Sequence, residues 1–212
     1  ENIMTTKTIA ITGATGQFGA IALDLLKAKQ ANVIALVRSP EKISGVAARK
    51  FDYSKIEGQV EALQGVDTLI LVSSSEVGQR TLQHSNVIES AKKAGVKHII
   101  YTSLLGATND NTVKSLAGEH VATEAALKAS GITYTILRNG WYTENYTASI
   151  PAALANNAFY GSAKNGKISS VLRAELAKAA VNVALSEGHE NQTYELAGST
   201  SWTLADLAAE IS

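Results

Sequence analysis

The sequence lacks cysteine altogether, has no net charge and contains no long hydrophobic run. The absence of cysteine among 212 residues excludes disulfides, thiolate catalysis and cysteine-ligated metal sites. The 19 basic residues balance the 19 acidic ones and form no basic stripe, so we expect no nucleic-acid partner. The longest apolar run, at residues 69–72, is far shorter than the roughly 18 residues that a membrane span requires. We therefore expect a cytoplasmic protein without a membrane segment.

The chain length of 212 residues fits one domain with its own hydrophobic core. No linker-like or low-complexity stretch divides the sequence, so we expect one domain over residues 1–212. The only methionine is Met4, and no signal-peptide pattern is visible at the start, so residues 1–3 are expected to be a remnant ahead of the native start. These features fit a monomer and a homodimer equally well.

Strand-like and helix-like patterns alternate along most of the chain. Six strands are predicted, at residues 7–12, 32–37, 48–52, 67–72, 97–102 and 132–137. Helical periodicity indicates helices after the glycine-rich turn at residues 13–19 and over residues 80–94 and 113–130. Alternating strands and helices favour right-handed crossovers and a parallel sheet with helices on both faces. We therefore predict an α/β fold with a doubly wound core over about residues 7–138.

The alternation loosens after Arg138, where we predict a small C-terminal appendage on the substrate side of the core, residues 139–212. Its predicted elements are helices at 145–155, 173–185 and 203–211, and short strands at 158–161 and 193–196. Thr203 and Asp206 resemble a capping box at the start of the last helix.

The stretch TGATGQFG at residues 12–19 follows the first predicted strand and opens a helix. Gly13 permits a tight turn, Gly16 lets backbone amides approach a pyrophosphate, and Gly19 permits close packing of the helix on the strand. The positive end of the helix dipole would face the phosphates. The pattern predicts a dinucleotide site, and the alternative is a turn with a structural role only. The residues assigned to the site are Gly13, Thr15, Gly16, Gln17, Phe18 and Gly19.

The end of the second predicted strand indicates which dinucleotide binds. A site for NAD carries Asp or Glu there, which binds the ribose hydroxyls. This chain has Arg38, with Lys42 close behind, and a guanidinium can hold a 2′-phosphate through two hydrogen bonds. We therefore predict NADPH (NADP) as the cofactor. The alternative is that Arg38 is an ordinary solvated loop arginine.

Several segments together carry a resemblance to a known family. Besides the glycine-rich turn and Arg38, they are residues 73–80 (SSSEVGQR), 101–105 (YTSLL), 137–146 (LRNGWYTENY) and 194–198 (YELAG). From residue 7 to its end the chain resembles the atypical short-chain dehydrogenase/reductases, within them the NmrA-like branch, and most closely its NADPH-dependent quinone oxidoreductases and triphenylmethane reductases. The resemblance implies a Rossmann-like fold and an oxidoreductase that acts on a small-molecule quinone or similar aromatic acceptor. It also allows a non-catalytic, NADP(H)-binding, redox-sensing regulator.

The remaining candidate residues follow from the resemblance and from the position of ligands beyond the carboxyl ends of parallel strands. Assigned to the cofactor are Asp52 and Tyr53 beside the adenine, and Ser73, Ser74, Ser75, Thr102 and Asn139 around the nicotinamide. Assigned to the acceptor are Glu76, Gln79, Leu104, Trp141, Tyr142 and Tyr146. The aromatic members offer flat faces to an aromatic acceptor, although each alone is equally typical of core packing.

His120 and Glu124 lie four residues apart and therefore share one face of the helix predicted over residues 113–130. The pair could bind a metal, exchange protons or form a solvated salt bridge. No other histidine supports a metal site, and none is predicted. By resemblance, the two residues stand where catalytic short-chain enzymes carry the Tyr and Lys of Tyr-x-x-x-Lys. No residue is therefore assigned as a certain catalyst, and the candidate pocket residues are His120, Tyr101 and Ser103.

The exchange of Tyr and Lys for His and Glu restricts the chemistry. Hydride reduction of an isolated ketone produces a strongly basic alkoxide, so a positioned acid matters. Reduction of a quinone produces a delocalised anion whose conjugate acid titrates near tyrosine, at about 10. Water or His120 can protonate such an anion. The sequence therefore favours direct hydride transfer to a quinone or to another electron-poor conjugated acceptor.

Overall fold

In a computed structural model of the protein, residues 7–107 and 114–212 are described, and their strands form one parallel sheet. The predicted remnant at residues 1–3 lies outside the described residues. The strands are β1 (Ile9–Thr12), β2 (Val33–Val37), β3 (Ala47–Lys50), β4 (Thr68–Leu71), β5 (His98–Leu104), β6 (Thr133–Asn139) and β7 (Gln192–Leu196). Their order in the sheet is β3-β2-β1-β4-β5-β6-β7, and every neighbouring pair is parallel.

Helices cover both faces of this sheet. They are α1 (Gln17–Ala28), α2 (Gln59–Ala62), α3 (Arg80–Ala94), α4 (Lys114–Ser130), α5 (Glu144–Thr147), α6 (Ile150–Asn156), α7 (Arg173–Leu185) and α8 (Leu204–Ile211). The core on one face is built with α1 and α7, and the core on the other with α2, α3 and α4. The predicted doubly wound α/β fold is thus confirmed. Within the described ranges, no helix has the length and apolar character needed to cross a membrane.

Coverage on both faces explains why the central strands are apolar at successive positions. In β1, Ile9 and Ile11 belong to the core beneath α1 and α7, whereas Ala10 between them belongs to the opposite core. All residues of β1, β2 and β4 are buried. A strand of this kind has no solvated face and therefore needs apolar residues throughout. The parallel arrangement also brings the carboxyl ends of all strands to one edge of the sheet.

The structure differs from the sequence-based expectations mainly beyond the central strands. The strand predicted at residues 158–161 is wrong: the position beside β6 is occupied by β7, and residues 158–161 follow α6 without regular structure. The single helix predicted over residues 145–155 is divided into α5 and α6, because Pro151 near the start of α6 has no amide hydrogen to continue the helical ladder. The one-turn helix α2 is too short to show periodicity and was not predicted. The capping box of Thr203 and Asp206 is present.

The turn between β1 and α1 is built around two glycines. Gly13 has a φ of +61°, in the left-handed region that side chains disfavour. A Cβ atom on Gly19 would lie 2.0 Å from the carbonyl oxygen of Gly13. Contact at that distance is impossible without moving backbone, so glycine at position 19 is what allows α1 to start directly against the end of β1.

We expect Gly19→Ala to lower the free energy of unfolding by about 1–3 kcal/mol, as overpacking against rigid atoms does. Gly118→Ala provides a matched control, because a Cβ on Gly118 would meet no described atom within 4 Å. In the exposed interior of α4, that change should raise the free energy of unfolding by roughly 0.5–1 kcal/mol. Chemical denaturation of the wild type and of the two variants measures both changes in the free energy of unfolding. Equal stability of the two variants would contradict the close approach at Gly19.

Candidate functional site

A cleft of about 410 Å³ lies at the carboxyl ends of β1, β2 and β4. The strand order of the sheet reverses between β1 and β4, and this is where ligands of open α/β sheets bind. Of the residues assigned to the cofactor from the sequence, its lining contains Gly13, Thr15, Gly16, Gln17, Phe18, Gly19, Arg38, Asp52, Tyr53, Ser73, Ser74 and Ser75. The fold therefore gathers four separate segments of chain around one cavity.

The start of α1 is shaped to receive an anion. Gly16 caps the helix, and no side chain among the described residues hydrogen-bonds to its first amides. No acidic residue lies in the first turn of the helix. The unpaired amides and the positive end of the helix dipole thus face the cleft without competition. A pyrophosphate is the group that this arrangement fits.

The rim of the cleft carries opposite charges at the ends of β2 and β3. Arg38 is exposed directly after β2, and Asp52 is half-buried after β3. The side chain and the backbone amide of Ser54 donate to Asp52 Oδ1 at 2.7 and 2.9 Å, which lowers the pKa of that carboxyl. Lys42, also assigned to the cofactor, lies on the exposed 3-10 turn Pro40–Lys42 and is absent from the residues that line the cleft.

Tyr53 joins the strand ends beside the turn. Its hydroxyl hydrogen-bonds to Thr12 Oγ1 at 2.7 Å and to the carbonyl oxygen of Val72. Burial raises the pKa of this phenol far above its ordinary value, so Tyr53 is a much weaker acid than a free phenol. We interpret Tyr53 as a wall of the cleft rather than as a proton donor.

A second cleft, of about 270 Å³, adjoins the first and shares Ser73 and Tyr142 with it. It lies at the carboxyl ends of β5 and β6 and is closed on one side by α4. The candidate residues that line it are Thr102, Ser103, Leu104, His120, Asn139, Trp141 and Tyr142. Asn145 and Arg173 also line it, and neither was assigned from the sequence. The Arg173 guanidinium lies 4.7 Å from the centre of the Tyr142 ring, a contact between distant residues that no local sequence pattern indicates.

Three residues assigned to the acceptor lie outside the second cleft. Glu76 lines the first cleft and accepts a hydrogen bond from Gln83 Nε2 at 2.7 Å. Gln79 is the residue that precedes α3. Tyr146 packs edge-to-face on Trp202, with 5.0 Å between the ring centres, in a separate groove beside α8.

His120 and Glu124 do not form a solvated pair, so that alternative is wrong. Both are buried, at 5% and 4% exposure, and each contacts β5 instead. His120 Nδ1 lies 2.6 Å from the hydroxyl of Tyr101. Glu124 accepts from Ser103 Oγ at 2.6 Å and from Arg138 Nε and Nη2 at 3.0 and 2.8 Å. Among the described residues, no group of three or more His, Asp or Glu side chains is placed to hold a metal ion.

Burial favours the neutral forms of two ionisable groups beside the second cleft, His120 and Tyr101. Burial lowers the pKa of His120 to about 4, and the positive charge of Arg80 acts in the same direction against the opposing field of Glu124. Burial also raises the pKa of Tyr101 far above that of a free phenol. Ser103 donates its only hydroxyl hydrogen to Glu124, so it has none left to donate to a ligand. At neutral pH the site therefore holds neither an imidazolium nor a phenolate.

Three comparisons with known proteins agree with this geometry. Quinone oxidoreductase 2 of Escherichia coli (strain K12) is 53% identical over 210 residues, which cover 96% of this chain and 73% of that protein. The crystal structure of the E. coli NADPH-dependent quinone oxidoreductase complexed with NADPH superposes with a TM-score of 0.90 at 52% identity, covering 96% of this chain and 74% of that one. The Citrobacter sp. triphenylmethane reductase complexed with NADP(H) also gives a TM-score of 0.90, at 39% identity, covering 95% and 74%.

These matches confirm the resemblance to quinone oxidoreductases and triphenylmethane reductases that the sequence segments indicated. A family model described as NAD(P)H-binding matches residues 13–187, which include the glycine-rich turn, the strands β2 to β6 and the helices α1 to α7. The chain therefore belongs to the NAD(P)H-binding family.

Proposed function

We propose that this protein is an NADPH-dependent quinone oxidoreductase that transfers hydride directly to a quinone or a similar electron-poor conjugated acceptor, without a Tyr–Lys proton donor. The observation that carries the proposal is the junction of the two clefts at Ser73 and Tyr142. One cleft has the features of a dinucleotide site, and the other has aromatic walls, uncharged polar side chains and the guanidinium of Arg173. The quinone oxidoreductase activity named for the E. coli relative supports the same substrate class.

The residues of the first cleft fit NADPH. The open amides of α1 would bind the pyrophosphate, and Arg38 would bind the 2′-phosphate. Ser74 Oγ and Asn139 Oδ1 are buried without a hydrogen-bond partner among the described residues, and both lie at the clefts' lining. Buried polar atoms of this kind are normally satisfied, so a polar ligand such as the nicotinamide carboxamide accounts for them. NADPH, when bound, supplies the hydride.

The second cleft suits a flat acceptor. Trp141 and Tyr142 offer aromatic faces at its wall, and Tyr142 is shared with the cofactor cleft. An acceptor held there would lie beside the reactive end of the cofactor. The side chains would orient the acceptor and exclude water from one of its faces.

The polar groups of the second cleft do not act as a strong acid. By the resemblance, Glu124 stands where catalytic short-chain enzymes carry a lysine. Its carboxylate is held by Arg138 through two hydrogen bonds. A carboxylate cannot lower the pKa of a neighbouring phenol as a lysine does. The acceptor must therefore tolerate a negative charge after hydride transfer, which a quinone does because its anion is delocalised and weakly basic.

A second candidate function is an NADP(H)-binding regulator without turnover. The lack of a Tyr–Lys proton donor, inferred from the resemblance to short-chain enzymes, also favours this function, because a binding protein needs no acid. The two functions differ in one property, since both require the first cleft but only the enzyme passes electrons to an acceptor.

Stopped-flow oxidation of bound NADPH with a panel of small quinones tests the proposed function. We expect saturating, quinone-dependent loss of NADPH absorbance and no comparable reaction with an isolated ketone such as cyclohexanone. Electron-poor quinones should react faster than electron-rich ones, because the hydride adds without prior protonation. Tight NADPH binding with no quinone-dependent oxidation would refute the enzyme and leave the regulator.

Arg38→Asp tests the choice of dinucleotide. The substitution removes a guanidinium at the cleft and places a carboxylate against the 2′-phosphate, so we expect the ratio of NADPH to NADH affinity to fall roughly a hundredfold. Lys42→Asp is the matched control, since it makes the same charge change at an exposed position off the cleft, and it should alter the ratio by less than about threefold. Fluorescence titration of both dinucleotides measures the ratio. An unchanged ratio of NADPH to NADH affinity in Arg38→Asp would show that Arg38 does not bind the 2′-phosphate.

A further inference from the structure

A row of buried polar contacts connects the loop of the first cleft to the wall of the second. It runs from the backbone amide of Ser74 through His84, and from the hydroxyl of Tyr101 to His120. The side chains of His84 and Tyr101 are completely buried, and His120 is 5% exposed. Nothing in the hydride transfer described above uses His84. Its position between the two clefts raises the question of what it holds in place.

The backbone fixes the tautomer of His84. The amide of Ser74 can only donate, and it lies 3.0 Å from His84 Nε2, which must therefore carry a lone pair. Burial lowers the pKa of His84 to about 3, so the ring is neutral and its one proton lies on Nδ1. That nitrogen lies 2.9 Å from Thr123 Oγ1 and donates to it. Thr123 in turn donates its own hydrogen to the carbonyl oxygen of Glu119 at 2.9 Å.

The tautomer of His84 restricts where Tyr101 can donate its hydrogen, and this bears on the tautomer of His120. The Tyr101 hydroxyl lies 3.5 Å from His84 Nδ1 and 2.6 Å from His120 Nδ1. Because His84 Nδ1 already carries a hydrogen, the hydroxyl hydrogen of Tyr101 has two other acceptors nearby, Thr123 Oγ1 and His120 Nδ1. The short contact of 2.6 Å favours His120 Nδ1. A neutral His120 that accepts at Nδ1 carries its proton on Nε2. With Nδ1 turned to Tyr101, Nε2 is the nitrogen that a ligand in the second cleft can meet.

We propose that His84 and Tyr101 are positioning residues that hold His120 as the neutral Nε2–H tautomer, so that His120 donates a hydrogen bond to the acceptor's oxygen in the second cleft. The inference rests on the proposed function for the identity of that acceptor. The opposite tautomer would place a lone pair of Nε2 against an oxygen that becomes negatively charged. We call His84, Tyr101 and His120 the relay. The relay therefore determines whether His120 stabilises or opposes the negative charge that hydride transfer creates.

The charges around His120 support this neutral state. From α3, the guanidinium of Arg80 faces both imidazoles, and it is held by Glu119 of α4 at 3.1 Å and by the carbonyl oxygen of Ser74 at 2.6 Å. Glu124, one turn further along α4, opposes the field of Arg80, but its charge is paired with Arg138 of β6.

The proton balance identifies His120 as a hydrogen-bond donor and not as the acid. Hydride transfer gives the quinone two electrons and one hydrogen, which leaves a hydroquinone anion. Neutral imidazole is a far weaker acid than a phenol, so the proton stays on Nε2 while it bonds to the anionic oxygen. Tyr101 cannot replace that proton, because burial disfavours its phenolate. The proton that completes the hydroquinone therefore comes from water.

Nitrogen-15 NMR of histidine-labelled protein at pH 7 measures the tautomer directly, before any substrate is added. In the wild type we expect His120 to show a protonated Nε2 and an unprotonated Nδ1. Tyr101→Phe keeps the ring and removes the donor, so it should shift His120 toward the Nδ1–H form. Quinone-dependent kcat should fall about tenfold, the loss of one hydrogen bond in the transition state, with KM for NADPH within about twofold of the wild type.

Tyr194→Phe is the matched control. The Tyr194 hydroxyl lies 2.8 Å from His189 Nδ1, so it forms the same type of pair, away from the lining of both clefts. That variant should leave the His120 signals and kcat unchanged. An Nδ1–H or doubly protonated His120 in the wild type would overturn the proposal, even where Tyr101→Phe fails to fold. Unchanged His120 signals in a folded Tyr101→Phe would overturn it as well.

The outcomes separate this inference from the proposed function. A wild-type Nε2–H tautomer in a protein that oxidises no NADPH with quinones supports the relay and refutes the enzyme. Quinone turnover by a protein with the opposite tautomer refutes the relay alone.

Discussion

The parallel sheet is the constraint on which the rest of this molecule depends. Because every strand in the described residues runs in one direction, all carboxyl ends meet at a single edge, and both clefts open there. The close contact between Gly13 and Gly19 lets α1 begin at that edge with its amides uncovered. The two clefts then meet at the ends of β4 and β6, where a hydride has only a short path to travel.

The chemistry that we propose for the site depends on the charges on and around α4. Glu124 of α4 is buried and paired with Arg138, while Arg80 lies near His120 and disfavours its protonation. The result is a buried imidazole and a buried phenol that stay neutral beside paired charges. Such a set can orient an acceptor and stabilise a delocalised anion, but it does not supply the strong acid that an isolated ketone requires.

Most of the fold and of the first cleft could be predicted from the sequence, because their signals are local. A glycine-rich turn between a strand and a helix, and apolar runs covered on both faces, are determined by backbone geometry and by burial. The strand expected at residues 158–161 failed because strand formation depends on an available neighbour, and β7 pairs with β6 instead.

The second cleft was harder to predict, because its members meet only through tertiary packing. Arg173 contacts Tyr142, although about thirty residues separate them in the chain. Tyr146 packs against Trp202 and therefore lies outside the second cleft. His84 gave no signal in the sequence, since a histidine on a helix is most often structural. Its importance appears only from the direction of the hydrogen bond that it receives from the backbone of Ser74.

The pH dependence of the hydride-transfer step tests the central claim most directly, which is that the site works through a neutral donor. The rate is measured in a single turnover with saturating NADPH and quinone, between about pH 5.5 and pH 9. We expect a flat profile, because the pKa of His120 is lowered to about 4 and that of Tyr101 is raised beyond this range. A rate that falls about tenfold per pH unit above an apparent pKa of roughly 6–7 would show instead that a protonated histidine is the acid.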